Sequence, residues 1–165
     1  MAQPGIVAEP PPPTERTCPT CGHDWGFGPV CQSCGQVGGL PQGVQLSSVG
    51  KRLGGYALEL VLIVFTVFVG WLVWSLIVWS RGQTPAKQIL KMRVVNLQTG
   101  KRATWGRMAL REFVGKGAVG LVIAATAFGF IIYFWLLWDK QRQELWDKIA
   151  STVVVDDDTE LVPEA

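Results

Sequence analysis

The sequence predicts a mostly α-helical, integral membrane fold, and three observations predict it. Residues 60 to 80 and 117 to 138 carry no charged side chain, and about 20 apolar residues in a helix rising about 1.5 Å each suffice to cross a hydrocarbon core of about 30 Å. Mean hydropathy is positive and charged residues make up only 17% of the chain, low for a soluble domain. All four cysteines fall in two C-x2-C knuckles near the start. The expected architecture has two long apolar helical segments, each a single span or a hairpin, joined by short amphipathic helices. A small cytoplasmic β pairing and an N-terminal four-Cys zinc ribbon complete it.

The elements follow in chain order. Residues 1 to 17 include Pro10 to Pro13 and few large apolar side chains, so they read as a disordered or polyproline II lead. Residues 18 to 35 hold C-P-T-C-G and C-Q-S-C-G, a C-x2-C-x9-C-x2-C spacing with Gly22 and Gly35 after the pairs. Each knuckle turns two thiolates toward one point, and two knuckles make the tetrahedral sulfur shell that structural zinc prefers. Cys18, Cys21, Cys31 and Cys34 are the expected ligands of a structural Zn2+. So short a module has little core and needs the metal to fold. Two disulfides or a dithiol redox pair are the rival readings, and His23 reads as a bystander or a donor to a ligand. The module resembles the short zinc ribbons at the N-termini of many bacterial membrane and regulatory proteins, which hold partners or order a terminus.

A Gly-rich linker spans residues 36 to 50, and residues 51 to 155 form the expected membrane domain. Trp71, Trp74, Trp79, Trp135 and Trp138 cluster near the charged ends of the apolar runs, as amphipathic rings do at a headgroup interface. Thr84 and Pro85 read as N-cap and first residue of a helix reaching Met92. A strand is expected over residues 93 to 97 and a turn at Gln98-Thr99-Gly100. Helical spacing returns over residues 104 to 116, and a polar helix is expected over 139 to 150. Residues 151 to 155 read as a second strand, and 156 to 165 as a disordered acidic tail. Both halves run apolar segment, Trp, charged helix, valine pair. This internal repeat predicts that Val94-Val95 pairs with Val153-Val154.

Charge is segregated along the chain. Residues 81 to 116 hold nine Lys or Arg against one acid, and residues 139 to 165 hold three against eight. Basic residues spread among apolar ones beside a membrane segment suit a bilayer with anionic headgroups and not nucleic acid. A reduced ribbon belongs in the cytoplasm, whereas two simple crossings with the basic segment inside would put both ends outside. Hairpins broken at Thr66 to Gly70 and at Ala125 to Gly129 would bring the polar parts to one side, so two to four crossings are expected.

From Arg52 onward the chain resembles the RDD family of small bacterial membrane proteins. The likeness rests on Arg52, on G-Q-T-P-A-K from Gly82 through Gln83, Thr84 and Pro85 to Lys87, on K-M-R-V-V at Lys91 to Val95, and on the closing D-K-Q-R-Q-E-L-W-D-K-I-A-S-T-V-V-V from Asp139. Glu59 stands where the first family Asp is usual and Ala86 where Gly is usual. Seven residues separate Arg52 from Glu59, which puts them on one helical face, and a carboxylate inside an apolar run needs a cation or a proton. Arg52 and Arg111 are the candidate partners, with Asp139 and Asp147 at the mouth of the second run.

Two functions are expected, and neither is enzymatic, since no nucleophile has a positioned base and a four-Cys site is closed. The first is a multi-pass plasma-membrane scaffold whose cytoplasmic ribbon recruits a protein partner, as a homo-oligomer or part of a membrane complex. The second, suggested for RDD-like proteins, is transport of protons, cations or small solutes using Glu59 with Asp139 or Asp147.

Overall fold

A computed structural model describes residues 17–26, 28–119, 137–139 and 142–165. The first apolar run is interrupted. Ser48 caps helix α1 (Val49–Phe65), its hydroxyl accepting the Lys51 amide hydrogen at 3.2 Å. The helix stops where Thr66 folds back on its own last turn, both its amide and its hydroxyl donating to the Leu62 carbonyl. Val67 and Phe68 then take left-handed φ angles of 51° and 56°, a region from which a helix of L-residues cannot continue. Helix α2 (Val69–Val78) restarts beyond them, and Gly70 packs so closely on Thr66 that a Cβ there would lie 3.0 Å from the threonine Cβ. A 3-10 turn (Trp79–Arg81) and Gly82 end the hairpin.

The expected integral membrane fold built on two long apolar helices is corrected by this geometry. Among the described residues no helix is long and apolar enough to cross a membrane. The break falls inside the Thr66 to Gly70 segment expected for a hairpin, although hydropathy alone does not mark it, because Val67 and Phe68 are as hydrophobic as the helices they separate. Most of the second run, including residues 125 to 129, lies outside the described residues.

The remainder is organised by a four-stranded antiparallel sheet and not by a small pairing of two strands. Its strands are β1 (Gln45–Leu46), β2 (Met92–Asn96), β3 (Lys101–Arg102) and β4 (Thr152–Asp156), in the order β1-β4-β2-β3. The predicted valine pairing is present, with Val94 opposite Val154 and Val95 opposite Val153. Alternate side chains enter two cores, as a period of two requires. Val95, Val153 and Val155 meet Val30, Val37, Leu40, Val44 and Leu46 from the segment around and after the second cysteine knuckle, together with Val162. Met92, Val94 and Val154 meet Trp79, Ala103 and Met108 on the other face. The sheet is therefore sandwiched between the cysteine-bearing segment and the helices.

The internal repeat is visible in detail. Helix α3 (Pro85–Ile89) followed by β2 recurs as α5 (Leu145–Ile149) followed by β4, sixty positions later in each case. Lys91 and Ser151 turn the chain between helix and strand with φ of 52° and 51°. Gln83 Nε2 donates to the Met92 carbonyl and Gln143 Nε2 to the Thr152 carbonyl, both at 2.9 Å. Val94 and Val154, themselves sixty apart, are paired, so the local two-fold axis passes between them. Between the units, α4 (Trp105–Ala109) continues as a π-helix (Leu110–Val119), in which Gly115 lies against Trp146.

Candidate metal centre and buried charge network

Two equivalent turns build the cysteine site. The Gly22 amide donates to the Cys18 carbonyl at 2.8 Å and the Gly35 amide to that of Cys31 at 2.9 Å. Both glycines sit at φ above 70°, where a Cβ would be strained. The four Sγ atoms lie within 4.8 Å of one another, with Cys18 and Cys34 at 3.6 Å and Cys21 and Cys31 at 3.8 Å. Tetrahedral coordination at a metal–sulfur length of about 2.3 Å sets sulfurs about 3.8 Å apart, so the four thiols can hold a metal ion. His23 Nδ1 faces the Cys21 carbonyl at 3.1 Å, and Trp25 packs on Cys18 and Cys31. Beyond the site, the Leu46 amide donates to the Gly35 carbonyl at 2.8 Å, which joins the second knuckle directly to β1.

The charged residues singled out by sequence separate into groups. Arg52, Arg111 and Asp147 come together, with Glu144 as a fourth member. Arg52 is ion-paired to Asp147 and lies 3.3 Å from Glu144, while Arg111 lies 2.6 Å from Asp147 and 3.8 Å from Glu144. Two guanidiniums thus face two carboxylates, all sealed from solvent, the condition under which buried charge is tolerated. The Tyr56 hydroxyl and the Trp146 indole N–H donate to Glu144. Burial alone would raise the Asp147 pKa, but Arg111 and Arg52 overcome it and hold the carboxyl down to about 2. Glu112 follows the same pattern: burial raises it, Lys116 and Arg111 prevail, and it too sits at about 2.

Glu59 and Asp139 lie outside that group. Glu59 accepts from the Trp71 indole at 2.6 Å and from the Thr84 hydroxyl at 2.8 Å. Asp139 meets Lys148 at 2.5 Å and the Gln143 amide at 2.9 Å. The three carboxylates of the transport reading are thus held by three separate sets of partners. Glu144 and Tyr56 were missed. A signal for Glu144 existed, since Glu144 and Asp147 stand three apart ahead of an apolar stretch and form a capping box on α5. Tyr56 carried none.

The motif loop is structural at its start and charged at its end. Gly82, at φ 66°, passes so near β2 that a Cβ would meet the Val94 carbonyl oxygen at 2.8 Å, and its own carbonyl accepts the Val94 amide hydrogen. Pro85 opens α3 behind Thr84. Lys87 is buried beneath it.

The sequence profile of the RDD family matches residues 34–151, a span from Cys34 through the hairpin, the motif loop and the charge network. The chain belongs to the RDD family. No curated protein and no solved structure matches it. Cys18, Cys21 and Cys31 precede the matched span while Cys34 opens it.

Proposed function

We propose that this RDD-family protein is a non-enzymatic membrane scaffold whose metal-ordered head holds a protein partner on the cytoplasmic side of the plasma membrane. One observation carries the reading: the closed end of the α1–α2 hairpin is apolar and bare. Phe65 is 80% exposed and Val67 78%, and Leu60, Val64, Phe68 and Val69 are exposed around them. A contiguous apolar surface of this kind calls for a nonaqueous neighbour. Lipid fits it, with the basic segment set against anionic headgroups. The metal is structural zinc, because four thiolates close the shell and leave no position for chemistry. The buried acids Glu144 and Asp147 are matched to guanidiniums and not to a nucleophile, which supports a structural role.

Flotation of the purified protein with phosphatidylglycerol vesicles tests the reading. Phe65→Asp combined with Val67→Asp is expected to abolish flotation while leaving one zinc per chain and the unfolding temperature unchanged. Flotation equal to the wild type would overturn the membrane seat. Absence of stoichiometric zinc, or zinc retained in Cys18→Ser, would overturn the metal assignment.

A further inference from the structure

The repeat gives Lys87 a counterpart. It stands third in α3 as Asp147 stands third in α5, sixty positions on. Asp147 has two guanidiniums against its carboxylate. Lys87, only 7% exposed, makes no ion pair and no hydrogen bond among the described residues. The nearby acids are already engaged: Glu112 by Lys116 at 2.6 Å and Arg111 at 3.5 Å, and Glu59 by Trp71 and Thr84. A second ammonium stands close by, for Lys87 Nζ lies 6.0 Å and Lys116 Nζ 5.2 Å from the centre of the Tyr56 ring.

We propose that Lys87 and Lys116, set against Tyr56, bind an oxyanion of the phosphate or phosphodiester class. An ammonium offers three donors and no acceptor. Lys87 has all three open, and Lys116 keeps two beyond its bond to Glu112. An anion with several oxygens can take donors from both. Burial, with Lys116 and Arg111 beside it, depresses the Lys87 pKa to about 7, and Glu112 and Glu59 offset this only in part. A bound oxyanion would restore the charged form. Tyr56 belongs to the first arm of the hairpin and Lys87 to the helix that follows it, so a lipid headgroup and free phosphate are both sources of the same chemistry. The headgroup source rests on the membrane seat proposed above, and the free-phosphate source does not.

The test follows the Lys87 amine by NMR in the full chain labelled with 15N-lysine and held in nonionic detergent. Its signal is identified by its loss in Lys87→Arg, which keeps the charge. Replacing chloride by inorganic phosphate at constant ionic strength is expected to raise the Lys87 titration midpoint by about one unit or more, and Lys116→Arg to reduce that shift. A rise with free phosphate identifies a soluble oxyanion. A rise in phosphatidylglycerol vesicles but not in phosphate-free galactolipid vesicles identifies the headgroup. A midpoint unmoved in both arms, or moved equally by galactolipid, would overturn the proposal. A phosphate response in a protein that fails to float would leave this site standing and remove only the membrane seat.

Discussion

Arg52 on α1 and Asp147 on α5, ninety-five positions apart, form an ion pair whose side chains are 3% and 0% exposed. It ties the hairpin to the second repeat unit, and Arg111 from the π-helix closes on the same carboxylate at 2.6 Å. Replacing Asp147 by Asn would leave Arg52 with Glu144 as its one carboxylate and Arg111 with Glu144 and Glu112. An uncompensated buried charge costs about 3 to 5 kcal/mol, so Asp147→Asn is expected to lose about that much in denaturant unfolding. Arg52→Leu added to Asp147→Leu should recover part of the loss. A single-variant loss below about 1 kcal/mol would mean that the pair is not sealed.

Acid should undo the same network. Asp147 and Glu112 both fall to about 2 in the folded chain, from ordinary values of 3.8 and 4.5. The unfolded chain therefore binds more protons in that interval, and stability rises with pH across it. Their contribution is complete above about pH 4.5 and fades as pH falls toward 2, on the order of 2 to 3 kcal/mol for each group. Unfolding midpoints measured from pH 5.5 to 2.5 should drop steeply in the wild type and less steeply in Glu112→Gln. Parallel curves would remove Glu112 from the account.

What the sequence revealed and what it hid divide along physical lines. The cysteine site was legible because its four ligands and two turning glycines lie within one short stretch, so spacing alone sets the geometry. The Val94–Val154 pairing was legible because β-branched alternation and the repeat agree. Strands β1 and β3 have two residues each, too few for any period, and exist only through their neighbours in the sheet. The break at Val67 and Phe68 lies in the Thr66 to Gly70 segment where a hairpin is expected, but hydropathy alone does not separate that hairpin from an unbroken span. Glu144 reads as one more charge on a polar helix until Arg52 and Arg111, remote in sequence, are placed against it.

Gly82 is confined by β2 and by the turn that precedes it. At φ 66°, an added Cβ would be strained by the backbone angle and would meet Val94 O at 2.8 Å and Ala103 N at 3.2 Å. Neither contact is with a side chain that can swing away. Gly82→Ala is expected to destabilise by about 1 to 3 kcal/mol, read as a lowered denaturant midpoint with unchanged slope. Gly106→Ala, where nothing lies within 4 Å, is the matched control and should be neutral or mildly stabilising.

Removing the metal should loosen the far end of the chain as well as the ribbon. Val30 and Val37 flank the second knuckle, and both are buried in the cluster that holds Val162. The Cys31 amide donates to the Gln36 carbonyl, and Val30 pairs with Val37 across the turn. Loss of the ligand shell therefore removes one wall of the pocket around Val162. Polar anchors remain: Arg93 with Asp157 at 3.1 Å, and Arg102, whose amide donates to the Pro163 carbonyl at 2.9 Å. Residues 157 to 164 should thus become mobile before the sheet itself unfolds. Chelation, or Cys18→Ser, is expected to speed cleavage after Glu160 by a glutamate-specific protease by about tenfold or more, as local opening becomes easier by about 1.4 kcal/mol. Arg93→Gln should add to that effect. Cleavage as slow with chelator as without it would show that the ribbon and the C-terminal segment are energetically independent.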